Sequence, residues 1–273
     1  MVLLAEFCLP VDLAQLRKRF KADGVVVLRG FVSQERVNKI RAAAMDAVEK
    51  RLPPFELEAE LGYPGAPVSI SVAGRGTIRR LRSMAGRDPV FAGWAGDAQL
   101  LFLISILFDT PQITLTQAHH NSLMSKQPSF SSDTRWHRDV RYWRFARPEL
   151  ISAWLSLGQE NSENGGLGFI AGSHQLDFPE DAYDEREFLM ADHPQAMPWV
   201  ARAVFPDLRG GDVVLFDART FHAASRNRTL QTKYSLVYSY HASSNRPVTG
   251  TRSDSLPGLV FNVAEQQLVV PSL

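Results

Sequence analysis

Residues 210–225 read GGDVVLFDARTFHAAS, an unbroken apolar run from Val213 to Phe216 that starts from a Gly-Gly-Asp turn and leads to His222. A short apolar run bounded by turn residues reads as a strand. The same texture recurs in ITLTQAHHNSLM (113–124), LISAWLSL (150–157), LGFIAGSH (167–174) and YSLVYSYH (234–241). Asn164-Gly165-Gly166 and Ala171-Gly172-Ser173 supply turns between these runs. No helical crossover separates them, so an antiparallel sandwich or jelly roll is expected rather than a parallel sheet.

Upstream the pattern is helical. Leu13, Leu16 and Phe20 recur at helical spacing and stop at Asp23-Gly24, and Val25 to Leu28 form a short β-branched run. Ser33 is placed to cap a helix carrying Val37, Ile40, Ala44 and Val48 on one face, with Pro53-Pro54 beyond it. Loop and short strand follow from Gly62 to Gly86, and helix from Pro89 to Phe108. The expected architecture is mainly β: one domain over residues 1–273, with helical cover mostly in 1–110 and a jelly-roll core mostly in 111–273.

Composition narrows the function. Thirty basic and twenty-nine acidic side chains give a net charge of +1, which supplies no overall drive toward nucleic acid or anionic lipid. A single cysteine, Cys8, excludes a disulfide framework and a multi-cysteine metal site, so a metal here would need His and carboxylate ligands. The N-terminal MVLLAEFCLP lacks a basic n-region and carries Glu6, so it is not read as a signal peptide, and a cytoplasmic location is expected. The apolar stretch Leu100–Phe108 is too short to cross a bilayer of ~30 Å and is read as a buried helix. Between Phe178 and Trp199 an acid-rich stretch reads as a solvated insertion between strands.

In RWHRDVRYW, His137 and Asp139 stand two residues apart, a spacing that on a strand turns both to one side. Two histidines and one carboxylate with open positions form the facial triad of non-haem Fe(II) oxygenases, and His222 is the candidate third ligand. By themselves the pair also reads as an ion pair on a sheet face, and His222 as a structural residue. A zinc hydrolase using the same three ligands, or a binding protein without turnover, are the readings from other classes.

Four segments in order resemble the phytanoyl-CoA dioxygenase family of Fe(II)/2-oxoglutarate-dependent oxygenases: DGVVVLRGF, WHRDVRYW, NGGLGFIAGSH and GGDVVLFDARTFHAASRNRT. The resemblance implies a double-stranded β-helix (jelly roll) with N-terminal helices packed on it, iron held by His137, Asp139 and His222, and 2-oxoglutarate and O2 as cosubstrates. It also implies a basic residue about eleven positions after His222 for the distal carboxylate of 2-oxoglutarate. Relatives mostly carry Arg there; this chain has Lys233, a point charge without the planar fork, with Arg226 and Arg228 as alternatives. Trp154 and Lys126 are the other expected cosubstrate contacts. His174 matches a family turn residue that is not a ligand, and Arg138 is expected to face away from the ligands. The carboxylate at 139 favours oxygenation over halogenation, since related halogenases have Ala or Gly there.

Local charge bears on the substrate. Lys126, Arg135, Arg138, Arg141, Arg144 and Arg147 flank the motif, while Arg75, Arg79, Arg80, Arg82 and Arg87 form an acid-free group upstream. Recognition of an anion is expected, a carboxylated sugar, phosphate, phosphonate or CoA thioester, with His120, Ser122, Arg80, Arg135 and Arg141 as the contacts; outward-facing strand residues are the competing explanation. The segment 119–145 also resembles bacterial Kdo 3-hydroxylases, which implies the acidic sugar of lipopolysaccharide, a glycolipid, met by peripheral contact with a membrane and no span.

Overall fold

The computed structural model describes residues 3–69 and 71–263. Its strands are β1 (Ala5–Phe7), β2 (Val25–Leu28), β3 (Phe55–Leu57), β4 (Ile78–Arg82), β5 (Gln112–Leu115), β6 (Asn121–Lys126) and β7 (Thr134–His137). They continue with β8 (Ile151–Ser156), β9 (Leu167–Phe169), β10 (Val213–Asp217), β11 (His222–Ala224), β12 (Lys233–Ala242) and β13 (Leu259–Asn262). The helices are α1 (Leu13–Asp23), α2 (Gln34–Lys50), α3 (Glu58–Leu61), α4 (Pro89–Ala95), α5 (Ala98–Phe108) and α6 (Met197–Val200).

Two sheets form a jelly roll. The larger runs β1-β2-β10-β8-β12-β6-β4-β3, with β5 joined to β12 and β13 to β5; the smaller runs β7-β11-β9. Every pairing is antiparallel except β1 with β2. Strand alternation divides the larger sheet's side chains between two cores. Trp154, Val214, Phe216 and Val237 face inward against Leu167, Phe169 and Ala224 of the smaller sheet. Ala153, Leu155, Val213, Leu215, Leu236, Tyr238 and Tyr240 face outward and bury against Leu16 and Phe20 of α1, Ile40 of α2, Trp94 of α4 and Leu101 and Ile104 of α5. Full burial of each large apolar side chain contributes about 1.5–3 kcal/mol, which is why these helices lie on the sheet.

The helix ends follow from the sequence. Asp12 accepts from the Gln15 N–H at 3.0 Å to start α1, and Gly24 closes it at φ 70, the left-handed region that glycine enters without strain. Ser33 caps α2 by accepting from the Arg36 N–H. By length and mean hydropathy (1.7) Pro89–Phe108 would pass for a bilayer span. It is two helices, broken at Gly96-Asp97, where Asp97 accepts from the Leu100 N–H and pairs with Arg36. Phe91, Trp94, Leu100, Leu101, Leu103 and Ile104 are buried in the core.

Two expectations change. The N-terminal part is more than helical cover, because β1 to β4 all join the larger sheet. The run 113–124 is two strands: β5 pairs the far end of β12 and β6 its near end, and the bend between them carries His119 and His120.

Candidate active site

The open end of the roll holds a cavity of about 290 Å³ between the two sheets. At its floor His222 of β11 stands directly opposite His137 of β7 in the strand register, their ring centroids 4.2 Å apart. Asp139 reaches the same point by a different route from the one expected. Strand β7 ends at His137, and Asp139 begins a 3₁₀ turn, Asp139–Arg141, that swings its carboxylate back to the pair. One donor atom from each of His137, Asp139 and His222 lies within 4.8 Å of the others, and the Asp139 Oδ1 to His222 Nε2 separation is 3.9 Å.

Each imidazole is pinned by its own backbone. His137 Nδ1 lies 2.8 Å from the Arg135 carbonyl and His222 Nδ1 3.0 Å from the Thr220 carbonyl. A carbonyl only accepts, so both Nδ1 atoms carry the proton and both Nε2 lone pairs are left for a metal. Burial keeps these rings neutral, holding His222 down to about 4 and His137 well below the usual histidine range. Burial also pushes the Asp139 carboxyl up to about 7, and its buried Oδ2 has no hydrogen-bond partner among the described residues. Two neutral imidazoles and an under-satisfied carboxylate in a semi-enclosed site fit a divalent metal of the Fe(II) class.

His120 adds a neighbour that spacing did not reveal. Its Nδ1 is buried without a hydrogen-bond partner among the described residues and lies 3.5 Å from Asp139 Oδ2, while its ring packs edge-on against Trp143. Such contacts orient ligating carboxylates, and their loss typically costs 10- to 100-fold in metal affinity. His120→Phe should weaken Co(II) binding by about that factor, with His120→Asn partly restoring it. Unchanged affinity in His120→Phe would remove His120 from the centre.

The other end of the cavity is built on a cross-strand lysine pair. Lys233 of β12 and Lys126 of β6 are direct partners in the register, and both are buried. Lys233 Nζ donates to Glu160 Oε2 at 3.2 Å and Ser235 Oγ at 2.8 Å and lies 5.0 Å from the Trp154 ring. Glu160, fully buried, also accepts from Trp154 Nε1 at 3.1 Å and from Ser235 Oγ at 2.7 Å. Lys126 donates to the Ser132 carbonyl, and Ser132 Oγ donates to buried Glu58 at 2.6 Å, which has Arg79 within 4.0 Å. Burial and the neighbouring Arg79 and Lys233 charges pull Lys126 down to about 7. Lys233, Arg79 and Lys126 share Glu160 and Glu58, and a further carboxylate arriving beside Lys126 would favour its charged form and balance the group, which fits the distal end of 2-oxoglutarate. Gly165, at φ +82, makes the close approach possible: a Cβ there would lie 2.6 Å from the Ser225 carbonyl and 3.2 Å from the Lys126 side chain.

The remaining expected contacts divide. His120, Arg80 and Arg141 line the cavity with the three ligand residues, Trp154, Lys126 and Lys233. Ser122 does not line it and is fully buried; Arg135 runs outward to Asp184 at 3.0 Å. Arg80 is engaged by both oxygens of Glu56, at 2.9 and 2.5 Å. Arg226, offered as an alternative to Lys233, is tied to Asp133 at 2.6 Å outside the cavity lining, and Arg228 is not among the lining residues either. Arg138 turns away to the Ser173 and Leu176 carbonyls, and His174 sits by the Lys21 carbonyl. Missed from sequence were Glu160, Tyr63, Arg186, Phe188 and Arg252. The acid-rich insertion is more than a solvated loop, since it supplies Arg186 to the cavity wall.

Comparison with known proteins agrees with this geometry. The family model described as "Phytanoyl-CoA dioxygenase (PhyH)" matches residues 20–235. A probable phytanoyl-CoA dioxygenase of Caenorhabditis elegans is 22% identical over 271 residues, covering 93% of this chain and 84% of the relative. The ectoine dioxygenase of Stutzerimonas stutzeri (strain A1501) is 25% identical over 248 residues, covering 84% and 76%. Among solved structures, the epimerase SnoN in complex with Fe3+, alpha ketoglutarate and nogalamycin RO superposes with a TM-score of 0.71 at 20% identity over 90% of each chain. EctD from S. alaskensis with 2-oxoglutarate and 5-hydroxyectoine gives 0.68 at 23% identity, covering 86% of this chain and 78% of EctD. These superpositions establish a shared fold.

Proposed function

The chain belongs to the phytanoyl-CoA dioxygenase family, and from that premise we propose that it hydroxylates a small anionic molecule using Fe(II), 2-oxoglutarate and O2, with release of succinate and CO2. The observation that carries the reading is the convergence of His137, Asp139 and His222 within 4.8 Å, each imidazole pinned through Nδ1. Bound iron and 2-oxoglutarate supply the oxidation that puts one oxygen atom of O2 into a substrate C–H bond.

The protein's own part is positioning and exclusion of water. His137, Asp139 and His222 would hold the iron, and Lys233, with Lys126 beside it, would neutralise the distal carboxylate of 2-oxoglutarate. Glu160 holds Lys233, Ser235 and Trp154 together so that the cationic end is formed before the cosubstrate arrives. Leu167, Met124 and Ala224 line the walls between, keeping that part of the cavity apolar.

The anionic character of the substrate is supported by the lining. Arg79, Arg80, Lys126, Arg141, Arg186, Lys233 and Arg252 all line it; Glu160 and Glu58 behind the wall offset Lys233 and Arg79, and Glu56 engages Arg80, which leaves Arg141, Arg186 and Arg252 without an ion pair among the described residues. Similarity of 119–145 to Kdo 3-hydroxylases places acidic sugars in the screen, beside phosphonates, acyl-CoA thioesters and acidic natural products. The test is succinate release across that panel with Fe(II), 2-oxoglutarate and O2. Substrate-dependent succinate with an anionic compound is expected. Hydrolysis supported by Zn(II) alone would overturn the reading in favour of a hydrolase.

A further inference from the structure

We infer that the mouth wall made by Tyr63, Arg141, Tyr142 and Arg186, backed by the buried Phe188 ring, docks a phosphate-class dianion carried by the substrate, an inference that rests on the dioxygenase reading above. Three segments meet in this wall: the end of α3, the 3₁₀ turn Asp139–Arg141, and the turn 184–188 of the insertion. Asp184 fixes that last turn by accepting from the Arg186 and Phe188 N–H groups, each at 2.9 Å. Arg186 then donates to the Leu61 carbonyl at 3.0 Å and the Gly62 carbonyl at 3.5 Å. Arg141 donates to the Arg186 and Glu187 carbonyls at 3.1 Å each.

Aromatic faces hold the same two guanidinium groups. Arg141 lies 3.9 Å from the Phe188 ring centroid and 4.4 Å from that of Tyr142; Arg186 lies 4.9 Å from Tyr63 and 6.0 Å from Phe188. Carbonyls and rings orient a guanidinium without neutralising it. Neither Arg141 nor Arg186 has a carboxylate within ion-pair distance among the described residues. The acids nearest Arg141 are Asp139, committed to the metal, and Glu187, exposed to solvent. Arg141 Nε is buried and has no hydrogen-bond partner among the described residues. Arg80 and Arg135 differ, each being matched to a carboxylate, Glu56 and Asp184.

Two oriented, unpaired guanidinium groups over one phenyl ring match a group with two negative charges and three acceptor oxygens; a monocarboxylate would leave one of them unbalanced. The location suits an anchor. The Phe188 ring is 5.8 Å from that of the ligand His137, so a group docked at this wall leaves the rest of the molecule over the metal centre.

The experiment uses protein loaded with Co(II) and 2-oxoglutarate, which occupies the lysine end, and titrates inorganic phosphate, phenylphosphonate and benzoate at constant ionic strength by calorimetry. Phosphate and phenylphosphonate should bind one to one, with benzoate at least about tenfold weaker. Arg141→Gln and Arg186→Gln should each weaken phosphate about tenfold or more, Arg141→Lys less so, and Arg17→Gln, on α1 outside the cavity lining, not at all. Benzoate binding as tightly as phosphate, absence of phosphate binding, or equal binding in the parent and both glutamine variants overturns the inference. Failure of the dioxygenase reading is seen separately, as failure of the parent to take up 2-oxoglutarate.

Discussion

Asp139→Ala should lose succinate formation by at least about a thousandfold, several kcal/mol of lost metal-borne stabilisation, and yet melt no lower than the parent when both are metal-free. Both halves follow from one carboxylate. Its removal leaves two neutral imidazoles, which hold a divalent ion weakly. It deletes no protein hydrogen bond at Oδ2, and it relieves the burial that pushes Asp139 up to about 7. Because the folded value lies above the ordinary one, ionisation of Asp139 costs the fold stability as pH rises from about 4 to 7. Metal-free Asp139→Asn should therefore match the parent near pH 4 and gain on it through pH 7, as read by denaturant midpoints. An aspartate retained for structure would show the opposite: a lower midpoint at pH 7 and little loss of turnover.

The second large effect is at the lysine end. Lys233→Met should destabilise the protein by about 3–5 kcal/mol, because Glu160 is left charged and fully buried beside Trp154 and Ser235. At ~2–4 °C per kcal/mol for a chain of this size, the melting point should fall by roughly 10 °C. Adding Glu160→Gln removes the stranded charge, so the double variant should recover most of the stability, a non-additivity expected of residues in one network. It should not recover 2-oxoglutarate affinity, since no cation returns to position 233. Restored affinity in the double variant would place the distal carboxylate elsewhere, and a single variant as stable as the parent would deny the Lys233–Glu160 coupling.

How far the site can be read in the sequence depends on the range of the contacts. Val213–Phe216 and its neighbouring runs announce the sheets because strand patterning is local, and His137, Asp139 and His222 stand in motifs whose order is visible. Strands β1 and β3 are three residues each and have no periodicity to read; pairing alone defines them. The convergence of His137 and Asp139 is explained by a turn after the strand rather than by alternation along it. Glu160 sits in a Ser/Asn/Gly-rich stretch that reads as loop, and only the fold brings it under Lys233. Arginine counting found the charge but could not separate Arg135, spent on Asp184, from Arg141, and it passed over Arg186, which the acid-rich insertion brings beside Arg141.

The central claim, that His137, Asp139 and His222 form an iron centre completed by 2-oxoglutarate, is tested most directly by anaerobic absorption spectroscopy. Adding 2-oxoglutarate to the protein with one equivalent of Fe(II) should produce a weak visible charge-transfer band that saturates at one cosubstrate per chain and is absent in Asp139→Ala. No band in the parent, or an equal band in Asp139→Ala, would contradict it.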